Sequence, residues 1–175
     1  MESCMVVSAI GRDRPGIVKA LTKALGQHQA NISESRMTVL GGEFAVIMLV
    51  SASEQAIAVL EKDLPAMEQE LGLSIHLKRT LPRPLAAGVV PYEITVVSMD
   101  HPGIVHDVTE FFSSRGLNIE SLETTNYAAP HTGTTMFSLS MVVGVPSDVK
   151  VSQLRGKFLE FCDQLNLDAT LEIHG

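Results

Sequence analysis

Apolar and polar positions along the chain change period in a regular order. Met5 to Ile10 is apolar and rich in β-branched residues, which predicts a strand. After Asp13-Arg14-Pro15-Gly16, the residues Ile17, Val18, Leu21 and Leu25 fall on one helical stripe. Pro15 is expected in the first turn, where its missing N–H costs nothing. Asn31 to Leu40 reads as a strand, Gly41-Gly42 as a tight hairpin turn and Glu43 to Ser51 as the partner strand. Ile57, Leu60, Leu64, Met67 and Leu71 recur at alternating spacings of three and four, an amphipathic helix starting near Ser53 and kinked or split at Pro65. Leu73 to Lys78 closes the set as a fourth strand.

The same order then repeats. Asp13-Arg14-Pro15-Gly16-Ile17-Val18 returns 87 residues later as Asp100-His101-Pro102-Gly103-Ile104-Val105, and Asn31-Ile32 returns at the same offset as Asn118-Ile119. Phe44 to Val50 parallels Phe137 to Val143 at an offset of 93, so the second copy carries six extra residues, placed around Ala128 to Gly133. In this copy Glu93 to Met99 is a strand, and Ile104, Val105, Val108, Phe111 and Phe112 form a helical stripe. Asn118 to Tyr127 pairs with Thr134 to Val143. Leu154, Phe158, Phe161 and Leu165 mark a helix, and Asp168 to Ile173 is the last strand. Pro82, Pro84, Gly88 and Pro91 interrupt any regular element between the copies. The expected organisation is a first domain over 1–79, a proline-rich linker over 80–91 and a second domain over 92–175.

Each copy reads βαββαβ. With right-handed crossovers this order gives an α/β (α+β) ferredoxin-like unit, an antiparallel four-stranded sheet with both helices on one face. Both alternating sets of Phe44 to Val50 are apolar, whereas a strand wetted on one face alternates. Something beyond the helices is therefore expected over part of the open sheet face, either the sister domain or a second protomer of a homodimer or homo-oligomer.

Composition narrows the function. Apolar residues make up 45% of 175 and charged residues 19%, enough for packed cores. No apolar run approaches a membrane span, and the Met1-Glu2-Ser3-Cys4 start lacks the features of a signal peptide, so the cytoplasm is the expected location. Thirteen Lys and Arg against 20 Asp and Glu give a net charge of −7, which disfavours direct nucleic-acid binding. The densest basic cluster is Lys78-Arg79 with Arg83. Cys4 and Cys162 stand alone, and the six histidines are scattered, so no metal and no cofactor is expected. No nucleophile-elbow, phosphate-loop, zinc-protease or dinucleotide motif occurs, and no catalytic residue is predicted.

The repeated motifs carry the candidate chemistry. A helix start offers unsatisfied N–H groups and a positive dipole end, suited to a carboxylate. Gly16 and Gly103 allow close approach to the backbone, and Asn31 and Asn118 each offer a donor and an acceptor. Asp13 and Asp100 would receive an ammonium group or cap the helix instead. The two connections are expected to meet at one end of each unit.

Asp-Arg-Pro-Gly-Ile after a strand, with Asn-Ile about fifteen residues on, resembles the ACT domain, an amino-acid-sensing module, across both halves of the chain. The resemblance implies a small amino acid at the junction of the first strand, first helix and second strand, often across an ACT–ACT interface. Carried over by motif, it implicates Gly11, Asp13, Arg14, Gly16, Ile17 and Asn31 in the first domain, and Asp100, His101, Gly103, Ile104 and Asn118 in the second. Ser98 replaces Gly11, and His101 replaces Arg14. More narrowly, Leu40-Gly41-Gly42-Glu43-Phe44, Ile47-Met48-Leu49 and Lys78-Arg79-Thr80 resemble tandem-ACT transcriptional repressors. That likeness implies a co-regulator that binds a DNA-binding activator protein and responds to glycine, with serine as the second candidate. A regulatory subunit or trans-acting modulator of an enzyme of amino-acid metabolism is the alternative.

Overall fold

The computed structural model describes residues 2–81 and 88–175, and the linker residues Pro82, Arg83 and Pro84 lie outside them. The chain divides into two compact units, the first ending at residue 84. In the first, β1 (Glu2–Arg12), α1 (Ile17–Gln27), β2 (Asn31–Leu40), β3 (Glu43–Ser53), α2 (Glu54–Leu71) and β4 (Ser74–Thr80) follow in order. The second repeats them as β5 (Val89–Met99), α3 (Ile104–Ser113), β6 (Asn118–Ala128), β7 (Thr135–Pro146), α4 (Val151–Gln164) and β8 (Asp168–Ile173). Each sheet is antiparallel, in the orders β2-β3-β1-β4 and β6-β7-β5-β8. This is the ferredoxin-like arrangement, twice.

Local chemistry explains the element ends. Gly41 and Gly42 both take positive φ (60° and 85°), the backbone of a two-residue turn that matches strand twist. The Ser53 hydroxyl accepts from the Ala56 N–H and caps α2, while Gly72 closes it in the left-handed region. One set of alternating strand residues (Met5, Val7, Ala9, Phe44, Met48, Val50) packs with Ile17, Leu21, Leu25, Ile57, Leu60 and Met67 into the first core. The second core is richer in aromatics: Phe112 and Phe158 are fully buried, with ring centroids 4.9 Å apart. Burial pushes the Cys162 thiol up to about 12, so it behaves as a small apolar side chain.

Several expectations need correction. Gly16, not Pro15, precedes the first residue of α1, so Pro15 sits in the turn before the helix. Val18 and Val105 are 42% and 38% exposed, because the helices bury only the narrower stripes that begin at Ile17 and Ile104. Pro65 does not split α2, which runs unbroken from Glu54 to Leu71. β5 starts at Val89 and includes Pro91, whose nitrogen faces the end of β8, where ladder pairing is just beginning. On the open face of the first sheet, Ile10 and Ile47 are about half exposed, and Leu49 is half-buried.

Within the Lys78-Arg79 cluster, Arg79 is engaged by its own unit. Arg79 Nε donates to Glu61 at 2.8 Å, and Arg79 also pairs with Glu54, holding both carboxyls below their ordinary range. His28 closes the α1–α2 contact: its Nδ1 lies 2.9 Å from the Ala24 carbonyl and its Nε2 3.1 Å from Asp63. These acceptors raise its pKa, the Ala24 carbonyl first, against an opposing effect of burial. A raised folded pKa adds stability that is fully present below the unfolded value of 6.5 and fades as pH rises through the folded one. The stability difference between the protein and His28→Gln should therefore be largest below about pH 6 and decline above neutrality. Its expected size is about 0.5 kcal/mol, in line with a partly exposed pair. Denaturant titrations at pH 5.5 and 8.5 check this, and an equal difference at both would contradict it.

Candidate functional site

Asp13 to Gly16 and Asp100 to Gly103 form matching turns between a central strand and a helix. Gly16 (φ 84°) and Gly103 (φ 104°) both occupy the left-handed region, which explains glycine at each copy. Neither helix has a side-chain cap, so Asp13 and Asp100 do not cap their helices. The Ile17 N–H donates to the Arg14 carbonyl at 3.2 Å, so of the first-turn N–H groups of α1 it is those of Val18 and Lys19 that have no side-chain cap. The Asp13 N–H donates to the Gly42 carbonyl at 3.0 Å, and that of Asp100 to Thr135 at 3.0 Å, which fixes each turn against the hairpin end of its sheet.

Other predicted site residues are already engaged. Arg14 Nη2 donates to the Leu71 carbonyl at 2.9 Å, satisfying the end of α2. His101 only approaches the neighbouring Pro102 carbonyl, with Nδ1 at 3.1 Å. The side chains of Ile17 and Ile104 are buried in the cores and present nothing to a ligand. Gly11 leaves no room for a side chain: a Cβ there would stand 2.7 Å from Leu73 Cδ2 and 2.9 Å from the Gly72 carbonyl oxygen. Gly11→Ala should cost about 1–3 kcal/mol by overpacking, read as a lower denaturant midpoint at unchanged slope. A neutral result would mean that the α2–β4 connection gives way freely.

Asn31 and Asn118 are not beside the turns. Asn31 pairs with Ser51, and Ser51 with Cys4, whereas Gly11 pairs with Phe44. Seven strand residues, about 24 Å, separate those levels of the sheet. Asn118 lies at the Gly144 and Pro91 level, equally far from Ser98 at Phe137. The reason is α1 itself: its start and end are about 16 Å apart, so motifs flanking one helix sit at opposite ends of the unit.

A side chain that does approach its turn comes from β6. In the second unit Asn126 Nδ2 donates to Asp100 Oδ2 at 2.9 Å. Asn126 pairs with Phe137, just as Val39 pairs with Phe44 in the first, so Val39 is its counterpart. Among the described residues no hydrogen bond reaches the exposed Asp13 carboxylate. Asp107, in the first turn of α3, brings a carboxylate oxygen 3.7 Å from where a Gly103 Cβ would stand; α1 has no acidic residue in its first turn.

Sequence and structure comparisons decide the family. The model of the ACT domain matches residues 3–78. The glycine cleavage system transcriptional repressor of Escherichia coli (strain K12) is 30% identical over 169 residues, covering 97% of this chain and 89% of its own length. The chain belongs to the family of that repressor. Among solved structures, a protein of unknown function from Galdieria sulphuraria superposes with a TM-score of 0.80 at 32% identity over the whole of both chains. A candidate glycine cleavage system transcriptional repressor superposes with a TM-score of 0.74 at 29% identity, over 99% of this chain and 98% of its own. The relationship thus spans both ACT-like units of this repressor-family chain. Among the described residues, no three His, Cys, Asp or Glu side chains gather as a metal site, and no helix is long and apolar enough to cross a membrane.

Proposed function

We propose that this chain is an amino-acid-sensing regulatory protein of the cytoplasm, a transcriptional co-regulator of glycine and one-carbon metabolism rather than an enzyme. The observation that carries the reading is the kinship with the Escherichia coli repressor across 97% of the chain. The first turn supports it chemically: Asp13 offers an ammonium group a carboxylate that no hydrogen bond reaches among the described residues, and the start of α1 offers the Val18 and Lys19 N–H groups to a carboxylate. Glycine is the favoured ligand and serine the second. Gly11, Arg14 and Ile17 shape this site without touching the ligand through side chains. His101 and Ile104 stand in the matching places of the second unit. Asn31 and Asn118, about 24 Å from the turns of their own units, take part only when another unit brings them, in a homodimer or homo-oligomer.

The net charge of −7 and the pairing of Arg79 with two glutamates favour a protein partner over DNA. The partner is a DNA-binding activator protein whose affinity for the chain changes with bound amino acid, by the ligand's affinity difference between two states. The test is capture on the immobilised chain with and without saturating glycine, followed by a DNA mobility shift. The expected result is a DNA-binding protein recovered in glycine-dependent yield, with the chain alone leaving DNA unshifted. Glycine-dependent recovery of an enzyme of amino-acid metabolism would favour the modulator reading instead, and a shift by the chain alone would overturn the partner mechanism.

A further inference from the structure

The two turns are built alike but furnished differently. Aligning the copies at their offset of 87 places Asn126 where the first unit has Val39, and Asp107 where it has Ala20. We infer that the second unit fills its own site: the Asn126 amide stands in for a ligand's ammonium on Asp100, and the Asp107 carboxylate stands in for a ligand's carboxylate at the start of α3. The chain then binds one amino acid, at the first unit, and the second turn is a permanently occupied replica. The inference rests on the amino-acid-sensing reading above.

Both stand-ins are chemically apt. The Asn126 Nδ2 group donates at 2.9 Å to Asp100 Oδ2, as an ammonium N–H would. Asp107 is half-buried, and its Oδ2 lies near Gly103, where the backbone opens into the first turn of α3. A negative side chain there satisfies the helix dipole and repels an incoming carboxylate. An entering amino acid would have to break the Asn126 bond and meet a like charge at once. In the first unit Val39 has no donor and Ala20 no charge, so neither obstacle exists.

The test is isothermal titration calorimetry of the full chain with glycine and serine, beside the double variant Asn126→Val with Asp107→Ala. One equivalent per chain is expected for the unaltered protein, abolished by Asp13→Ala and unmoved by Asp100→Ala. The double variant, given the first unit's residues, should take two. Side-chain amide resonances of Asn126 should not shift when the unaltered protein is saturated, which decides the matter even where the double variant fails to fold. Two equivalents in the unaltered protein, weaker binding by Asp100→Ala, or a folded double variant still taking one would each overturn the self-filled site while leaving the sensor reading standing. No binding by any form would remove the sensor reading, and this inference with it.

Discussion

Truncating Phe158 to alanine is expected to destabilise the second unit by about 3–5 kcal/mol. The ring is fully buried and sits 4.9 Å from Phe112 and 5.2 Å from Phe111, centroid to centroid. Phe111 in turn meets Phe161 at 5.2 Å, and the deletion removes the one α4 ring of this cluster that meets both Phe111 and Phe112 of α3. Rings in tilted contact contribute beyond their buried area, and four of them leave little freedom to collapse into the space. A unit of this size has a total stability of roughly 5–10 kcal/mol, so the loss takes much of it. At about 4–8 °C per kcal/mol for a small domain, the unfolding midpoint should fall by more than 10 °C. Phe161→Ala, at a half-buried position, should cost clearly less. Calorimetric scans of both variants check this, and equal, small shifts would mean that the aromatic cluster adds nothing special.

The second large effect is ligand-dependent. A ligand that binds only the native state, at one hundred times its dissociation constant, adds about 2.7 kcal/mol. If the amino acid binds at the Asp13 turn, a change at Asp13 should cancel that stabilisation without unfolding the protein. Asp13 is exposed, and among the described residues its carboxylate makes no hydrogen bond, so Asp13→Ala removes little native structure. Few positions near a core offer so clean a separation of binding from folding.

Much of the fold was legible because local chemistry and hydrophobic period agreed. Gly41-Gly42 could hardly be anything but a two-residue hairpin, Ser53 caps the helix that the spacing of Ile57, Leu60 and Met67 requires, and Asp168 to Ile173 is the strand expected. The misses share a cause. Val18 and Val105 look like stripe residues because sequence fixes spacing but not how wide a face the sheet covers. Pro65 is tolerated within α2, on its exposed side, where sequence spacing alone suggests a break.

The site is hard to read from sequence where topology overrides neighbourhood. Asn31 follows Asp13 by one helix, and a helix carries the chain to the opposite end of the sheet, so proximity in sequence becomes separation in space. Asn126 and Asp107 escape the repeated motifs for another reason. A repeat draws the eye to what the copies share, whereas these residues are where the copies differ. Reading the offset of 87 residue by residue pairs Val39 with Asn126 and Ala20 with Asp107, a signal present in the sequence once the strand register is known.

Thermal unfolding with each of the twenty amino acids tests most directly whether the chain is a sensor that reads its ligand at the Asp13 turn. The predicted result is a selective rise of roughly 10–20 °C in the unfolding of the first unit with a small amino acid, glycine foremost and serine next, absent in Asp13→Ala. No rise with any of the twenty, or a rise that survives Asp13→Ala undiminished, would contradict it.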